Sequence, residues 1–204
     1  PFFWKDEQHQ FQGRYIVLLK RIAALTGVDL EFKMVPQARL ISEFRAGRIH
    51  LEPGIAPAWR EAPEEQEISR YTQTFSVMDG VLIFPKGRSV EGIKSEHDLL
   101  RLKDLKIGQV RGFYIPEGLR VSLFVNELDI ARLVNSNALD AGFMNAYVAS
   151  YFKAESHFDY EISPPYESTP VAFRFNSSHE KWVKPFDKAI NQLRSGVEQL
   201  IQKA

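Results

Sequence analysis

Leu51-Glu52-Pro53-Gly54-Ile55-Ala56-Pro57-Ala58-Trp59-Arg60 is the segment around which this chain is organised. Its two prolines and its glycine exclude an ordinary helix or central strand, so a short apolar strand at residues 49–51 runs into a rigid loop. The loop carries a carboxylate, an aromatic face and a guanidinium, which together suit a small polar ligand. The structural alternatives are that Trp59 covers the core and that Arg60 pairs with a glutamate at the surface.

The elements that surround this loop alternate between helix and strand. Apolar residues at helical spacing predict a helix over 16–25, and alternation predicts a strand over 28–35. A second helix is predicted over 38–46, before the strand at 49–51. The charged segment 61–69 is expected to face solvent. Because ligands of open α/β sheets bind at the carboxyl ends of the strands, the loop stands where a ligand is expected.

Two proline breaks frame the middle third of the chain. They are Pro85-Lys86-Gly87 and Pro164-Pro165, and each is a candidate crossing between two lobes. We predict an α/β fold with two lobes, each with a central, mostly parallel sheet flanked by helices. Lobe 1 comprises residues 1–84 and 167–204, and the inserted lobe 2 comprises residues 85–166.

The inserted part repeats the order of strand, loop and helix. A strand is predicted over 106–110, followed by a loop at Arg111-Gly112-Phe113-Tyr114 and a helix near 117–126. A buried strand over 139–145 and a helix over 146–154 follow. The loop that begins at residue 111 is therefore a second candidate segment for ligand contact.

The composition is that of a globular protein without a nucleic-acid or membrane signature. Of 204 residues, 44% are hydrophobic, and 26 basic residues balance 26 acidic ones. A net charge of zero argues against nucleic acid as a partner. No stretch approaches the roughly 18 apolar residues of a membrane-spanning helix. The chain has no cysteine and its five histidines are scattered, so we expect no metal and no cofactor.

A series of segments, taken in chain order, matches a known pattern. They are residues 1–7 (PFFWKDE), the helix from Gly13 to Leu25, 35–40 (VPQARL), 47–51 (GRIHL), 53–55 (PGI), Trp59-Arg60, 71–75 (YTQTF), 102–108 (LKDLKIG) and 139–142 (LDAG). Together they resemble the bacterial family 3 extracellular solute-binding proteins, the periplasmic components of polar amino-acid uptake systems. That family usually has one more strand before the aromatic opening, and the chain starts at Pro1 without a charged and apolar leader. We therefore expect a mature or trimmed periplasmic protein.

The resemblance also implies a mechanism and site residues. Two lobes close on a ligand, and an arginine after the central loop holds its carboxylate; Arg60 falls at that position. The second lobe usually offers backbone N–H groups at a Gly-Thr turn that opens a helix. Gly112 matches the glycine, whereas Phe113 and Tyr114 replace the small hydroxyl residues. The family's second-lobe acid falls near Asn145, whose amide cannot balance an α-amino group, so an ordinary L-amino acid is in doubt.

The candidate ligand-binding residues come from both predicted lobes. Glu52 either binds the ligand's cationic group or is a structural partner of Arg60, and the sequence leaves both open. Trp59 and Tyr114 are the aromatic residues that we expect to face the ligand. The full set of candidates is Phe3, Glu52, Gly54, Trp59, Arg60, Tyr71, Gly112, Phe113, Tyr114 and Asn145.

Three functions are compatible with this sequence. The first is a monomeric, non-catalytic binding protein that delivers a carboxylate-bearing solute to an ABC-type permease. The second is a sensor domain that reports a ligand to a membrane-bound kinase or cyclase. The third is a dehydratase in which Glu52 or Glu117 serves as acid or base. The sequence has no Gly-x-Ser-x-Gly motif and no phosphate-binding glycine loop, which favours binding without catalysis.

Overall fold

The computed structural model describes the backbone of residues 2–203 and the side chains of residues 2–194. The strands are β1 (Trp4–Lys5), β2 (Phe11–Gln12), β3 (Leu51–Ile55), β4 (Ser69–Tyr71), β5 (Ser76–Pro85), β6 (Ile107–Val110), β7 (Val121–Phe124), β8 (Ala141–Asn145), β9 (Tyr160–Ile162) and β10 (Glu167–Asn176). The helices are α1 (Arg14–Thr26), α2 (Gln37–Arg45), α3 (Pro63–Glu67), α4 (Glu127–Asn135), α5 (Ala146–Glu155) and α6 (Val183–Lys203). Short 3₁₀ helices cover Pro57–Trp59, Glu96–Leu102 and Ser177–Trp182.

The chain divides into two compact units, as expected for a two-lobed α/β protein. Unit 1 comprises Pro1–Val35, Arg39–Val77 and Pro170–Ala204, and unit 2 comprises Pro36–Ala38 and Met78–Thr169. The two main crossings lie inside β5 and β10. The boundaries expected from the sequence, 84/85 and 166/167, lie within β5 and at the start of β10, respectively.

In unit 1, the long strand β10 pairs antiparallel with both β3 and β4. The registers place Arg174 opposite Glu52 on β3 and opposite Tyr71 on β4. Directly opposite residues lie on the same face of a sheet, so these three side chains form one polar row across three strands. Phe173 and Phe175 point to the other face, where they pack in a core with residues of α1 and α6.

The predicted strand over 28–35 is wrong. Residues 27–36 are neither helix nor strand. Val28, Leu30 and Phe32 still pack against the unit 1 core, which accounts for the alternating pattern. Alternation reports which side chains are buried, but a strand also needs a hydrogen-bonded neighbour, and no strand of the described residues pairs with this segment.

In unit 2, the parallel pairs β7–β6 and β6–β8 continue into β5, which pairs antiparallel with β8 and β9. Leu82, Ile107 and Phe143 form its core with Leu99 and Leu102 of the short helix before β6. The strand predicted over 106–110 is confirmed as β6.

The helix predicted near 117–126 is wrong. Residues 111–120 form a loop, and the chain then enters β7. Pro116 and Gly118 oppose a helix at its first turn, and the run Val121-Ser122-Leu123-Phe124 has the composition of a strand. Unit 2 therefore connects β6 to its parallel neighbour through a loop.

Candidate ligand-binding site

Arg60 lies where the loop after β3 ends. Pro57 starts a single 3₁₀ turn, and the Arg60 backbone N–H closes it by donating to the Pro57 carbonyl at 2.9 Å. The Arg60 side chain is only 10% exposed. Its Nη1 donates to the Trp59 carbonyl at 3.0 Å, whereas its buried Nε has no hydrogen-bond partner among the described residues. Arg60 is thus a largely buried guanidinium with unused donors.

Gly54 allows the end of β3 to approach α1 closely. Its φ of +74° lies in the left-handed region, and a Cβ at this position would stand 2.2 Å from the hydroxyl oxygen of Tyr15. Only glycine satisfies both constraints. The backbone that carries Glu52 and leads to Arg60 is therefore held directly against the core of unit 1.

Glu52 lies between two arginines and is 1% exposed. Its Oε2 accepts from Nη1 of Arg174 at 2.5 Å. Its Oε1 lies 3.8 Å from Nη2 of Arg60 and accepts no hydrogen bond from any described residue. The hydrogen-bonded partner of Glu52 is therefore Arg174, a residue that the two alternatives for Glu52 did not include.

Arg174 is fully buried in unit 1, with 0% exposure. Besides Glu52, it contacts Glu65 through Nη2 at 2.5 Å and donates from Nε to the Ser69 hydroxyl at 2.8 Å. The guanidinium carbon lies 3.8 Å from the centre of the Phe44 ring, a cation–π distance. A single arginine inside the apolar run Val171-Ala172-Phe173-Arg174-Phe175 was the signal that could have revealed it.

Glu65 continues this network toward the surface. The expectation that segment 61–69 faces solvent is wrong for Glu65 and Ser69, which are both buried. Arg45 donates to Glu65 Oε1 from Nη2 at 2.8 Å. Burial would raise the pKa of the Glu65 carboxyl, but the hydrogen bonds from Arg45 and Arg174 outweigh it and lower that pKa.

Tyr71 completes the polar row on β3, β10 and β4. Its hydroxyl is buried and has no hydrogen-bond partner in the described part of the chain. Burial raises the pKa of the phenol, so the hydroxyl keeps its proton at neutral pH. Unit 1 therefore brings together three of the predicted residues, Glu52, Arg60 and Tyr71, around a hub at Arg174.

The aromatic candidates of unit 1 outside this cluster are exposed. Phe3 lies near the N-terminus, and Trp59 precedes Arg60 in the 3₁₀ turn. Both rings present a large apolar face to solvent. Neither covers the core, which was the structural alternative for Trp59.

Gly112 has a φ of +95°, a backbone conformation that favours glycine. A Cβ there would stand 2.8 Å from the backbone nitrogen of Ala38, a residue of the same unit. The expectation that a helix opens after this glycine is wrong, because a loop leads from here to β7. Backbone N–H groups at a helix start are consequently absent at this position.

Phe113 and Tyr114 follow in the same loop and are exposed. The Tyr114 hydroxyl donates to Glu96 Oε1 at 2.7 Å, and Gln109 Nε2 donates to the Tyr114 carbonyl at 3.0 Å. These two bonds fix the loop to the strand before it and to the preceding short helix.

Asn145 ends β8 and caps α5. Its Oδ1 accepts from the Tyr147 backbone N–H at 2.9 Å, and its Nδ2 donates to the Asp79 carbonyl at 3.3 Å. Both ends of the amide are therefore used inside unit 2, and the side chain carries no charge.

A metal centre and a membrane span are two further features that a chain of this kind could contain. The described residues include no group of three or more histidine, aspartate or glutamate side chains placed to hold a metal ion. Among their helices, none combines the length and the apolarity needed to cross a membrane.

Several solved structures have a fold similar to that of this chain. An ancestral arginine-binding protein bound to arginine is 22% identical, with 100% of this chain and 92% of that chain covered and a TM-score of 0.79. A histidine kinase sensor domain with similarity to periplasmic binding proteins is 16% identical, with coverages of 100% and 90% and a TM-score of 0.83. The substrate-binding protein of an amino-acid ABC transporter is 18% identical, with coverages of 100% and 93% and a TM-score of 0.78. No curated protein sequence matches the chain.

These structures share the fold of this chain, and the family follows from its sequence. Residues 1–203 match the profile of the bacterial extracellular solute-binding proteins, family 3. The match covers nearly the whole chain and includes both units. The chain belongs to the bacterial extracellular solute-binding proteins, family 3.

Proposed function

We propose that this protein is a non-catalytic, periplasmic solute-binding protein that captures a small carboxylate-bearing polar solute by closure of its two lobes. The observation that carries this proposal is that Arg60 is buried and has a donor without a hydrogen-bond partner. Its guanidinium is nine-tenths buried, yet it donates one hydrogen bond to a backbone carbonyl and has an unpartnered Nε within the described residues. Buried arginine donors normally have partners, and a carboxylate matches the guanidinium in charge and shape.

The surroundings of Arg60 favour an anionic group over a cationic one. Glu52 was the candidate for a ligand's ammonium group, but one of its oxygens accepts from Arg174 and the other faces Arg60 at 3.8 Å, so two arginines already balance its charge. Asn145, the other candidate, is neutral and bonds to its own unit at both ends. Neither residue offers a free negative charge, so we propose that recognition centres on the ligand's carboxylate.

Transport is the role that the family membership supports. A related fold is that of the substrate-binding protein of an amino-acid ABC transporter. We propose an ABC permease as the partner of the loaded protein, which acts as a monomer. The ligand is an amino acid or a related carboxylate.

Sensing is the second candidate function, and one observation favours it. The histidine kinase sensor domain has a TM-score of 0.83 against this chain, and the amino-acid ABC transporter protein has 0.78. The two roles share the ligand chemistry but differ in the partner. Stimulation of substrate uptake in vesicles that carry the permease would support transport, whereas ligand-dependent kinase activity in the same gene product would support sensing.

The experiment that tests the proposal is a thermal-shift and calorimetry panel of amino acids, dicarboxylates and heterocyclic acids. A ligand that binds the folded state raises the melting temperature in a saturable manner. We expect at least one carboxylate to bind, and Arg60→Ala to weaken it by about tenfold or more, because a hydrogen bond to a charged group contributes about 1.5–3 kcal/mol.

The matched control is Arg70→Ala in the same unit. Arg70 forms an exposed ion pair with Glu180 at 3.1 Å, so its loss tests the general effect of removing an arginine. We expect this variant to bind as the unmodified protein does. Equal binding by the Arg60→Ala variant would refute Arg60 as the anchor, and turnover of any carboxylate in the panel would refute the non-catalytic role.

A further inference from the structure

Five charged side chains of unit 1 alternate in sign from the surface to the candidate site. In order they are Arg45, Glu65, Arg174, Glu52 and Arg60. The distances between successive charged groups are 2.8, 2.5, 2.5 and 3.8 Å. Each carboxylate uses one oxygen for each neighbouring arginine. The first three links have hydrogen-bond length, and only the last one does not.

The hub of this chain, Arg174, is held from several sides. Glu52 and Glu65 bind its two Nη atoms, Ser69 accepts from its Nε, and the Phe44 ring covers its face. A fully buried guanidinium keeps its charge only if it is paired in this way. The side chain therefore has one position available, and whatever it binds is fixed with it.

The consequence for Glu52 is that one carboxylate oxygen is committed to Arg174. The remaining oxygen, Oε1, lies 3.8 Å from Arg60 Nη2 and accepts no hydrogen bond from the described residues. At this distance Glu52 attracts the Arg60 guanidinium without occupying its N–H donors. A Glu52 freed from Arg174 could rotate and bind Arg60 through both oxygens, as carboxylates commonly do with arginine.

We propose that Arg174 is a positioning residue that prevents Glu52 from chelating Arg60 and so keeps the Arg60 donors available to an anionic ligand. The inference rests on the proposed function of Arg60 as the carboxylate anchor. Arg174 itself touches no ligand; it acts by competing for Glu52. In this arrangement, Arg174 keeps the Glu52 carboxylate from neutralising Arg60.

The test uses acetate as the probe, because it is the smallest carboxylate and needs nothing but the anchor. Acetate is titrated into protein with ¹⁵N-labelled arginine, and the Nε–H signal of Arg60, identified by its loss in Arg60→Lys, is followed by NMR. We expect Arg174→Met to bind acetate about tenfold more weakly although Arg60 is intact. We expect the double variant Glu52→Gln/Arg174→Met to regain the lost affinity, because the competing carboxylate is gone.

A merely structural role for Arg174 gives a different pattern. It predicts that Glu65→Gln/Arg174→Met, which removes the other unpaired buried charge but leaves Glu52 beside Arg60, regains the affinity as fully as Glu52→Gln/Arg174→Met does. That result, no regain in Glu52→Gln/Arg174→Met, or unchanged affinity in Arg174→Met would overturn the inference while leaving Arg60 as the anchor. Failure of the Arg60 signal of the unmodified protein to respond to acetate would instead overturn the proposed function.

Glu52→Gln alone keeps the proposal testable if Arg174→Met does not fold. The amide retains an oxygen for Arg174, and Glu65 still balances that guanidinium. We expect this variant to bind acetate at least as tightly as the unmodified protein. A loss of about tenfold, similar to that expected for Arg60→Ala, would mean that Glu52 supports Arg60 directly and would refute the competition.

Discussion

Glu52 and Arg174 are 122 residues apart in the chain but stand opposite each other on β3 and β10, joined by a 2.5 Å ion pair that is closed to solvent. The pair lies on the polar face of a sheet whose other face forms the core of unit 1. Because both charges are desolvated, each depends on the other much more than a surface pair does. The stability of unit 1 and the position of Glu52 in the candidate site therefore depend on the same ion pair.

The Arg174→Met variant is expected to lose about 3–5 kcal/mol of unfolding free energy, the range seen when one partner of a buried ion pair is removed. Glu52 and Glu65 would each lose a hydrogen-bonding partner in the interior. Glu52→Gln/Arg174→Met should lose less, because one of the two uncompensated charges is gone. Urea unfolding followed by tryptophan fluorescence measures both differences.

A surface pair of the same unit serves as the control. Arg48 binds Glu43 at 2.7 Å, but its side chain is largely exposed. Arg48→Met is expected to change the unfolding free energy by about 0–1 kcal/mol. A similar loss for the Arg48 and Arg174 variants would contradict the claim that burial makes the second pair different.

Gly54→Ala is expected to destabilise unit 1 by about 2 kcal/mol or more. The left-handed backbone alone accounts for about 1 kcal/mol, and the overlap of the new Cβ with the Tyr15 ring adds an overpacking cost of about 1–3 kcal/mol. Gly27→Ala is the control, because Gly27 has a φ of +71° and nothing lies within 4 Å of the place that its Cβ would take. Equal losses in thermal or urea unfolding would show that the Tyr15 contact has no effect.

The sequence predicted those parts of the fold that local pattern determines. Helices α2 and α5 lie within a residue of the predicted 38–46 and 146–154, since their apolar spacing and ends are local properties. The segment 28–35 failed because its alternation reflects burial, while a strand also requires a neighbour. The segment 117–126 failed because Pro116 and Gly118 stop a helix where the apolar spacing alone suggested one.

The sequence indicated which residue types form the candidate site, but it did not indicate which residues contact one another. Arg60 and Glu52 belong to the segment whose composition indicates ligand binding, but Glu52 was expected in a loop after a strand at 49–51, whereas the strand is Leu51–Ile55 and includes it. The apolar run around Arg174 marks a buried arginine, but its pairing with Glu52 and Glu65 follows only from the register of β10 with β3 and from the packing of α3, which no local pattern reveals. The assignment of segment 61–69 to solvent followed its average charge, and a buried ion network is the case in which that average misleads.

The unfolding free energy is expected to fall as the pH decreases below about 6.5, in part because of His179. Its ring stacks on His50 with centroids 4.0 Å apart. Burial lowers the pKa of His179, and the charges of His50 and Lys181 lower it further. Because its pKa is lower in the folded protein than in the unfolded chain, His179 loses its proton more readily in the folded protein. The contribution of His179 to the unfolding free energy is therefore complete at pH values above its pKa in the unfolded chain. It is lost as the pH falls from about 6.5 toward the lower pKa of His179 in the folded protein.

The measurement for His179 is urea unfolding at a series of pH values between about 5 and 8, the range that brackets a histidine titration. His179→Gln should show a shallower dependence than the unmodified protein. Identical slopes for the His179 variant and the unmodified protein would exclude the stacked pair as the cause.

Asn145→Ala is expected to reduce the unfolding free energy by about 1 kcal/mol, because α5 loses its N-terminal cap and the Asp79 carbonyl loses a donor. The matched control is Asn126→Ala at the start of α4, where the side chain accepts from Asp129 N–H at 2.9 Å. Both variants should lose similar stability in urea unfolding. If Asn145 also contacts the ligand, its variant alone will change the affinity for the tightest carboxylate of the panel; equal affinities for the two variants would restrict Asn145 to capping.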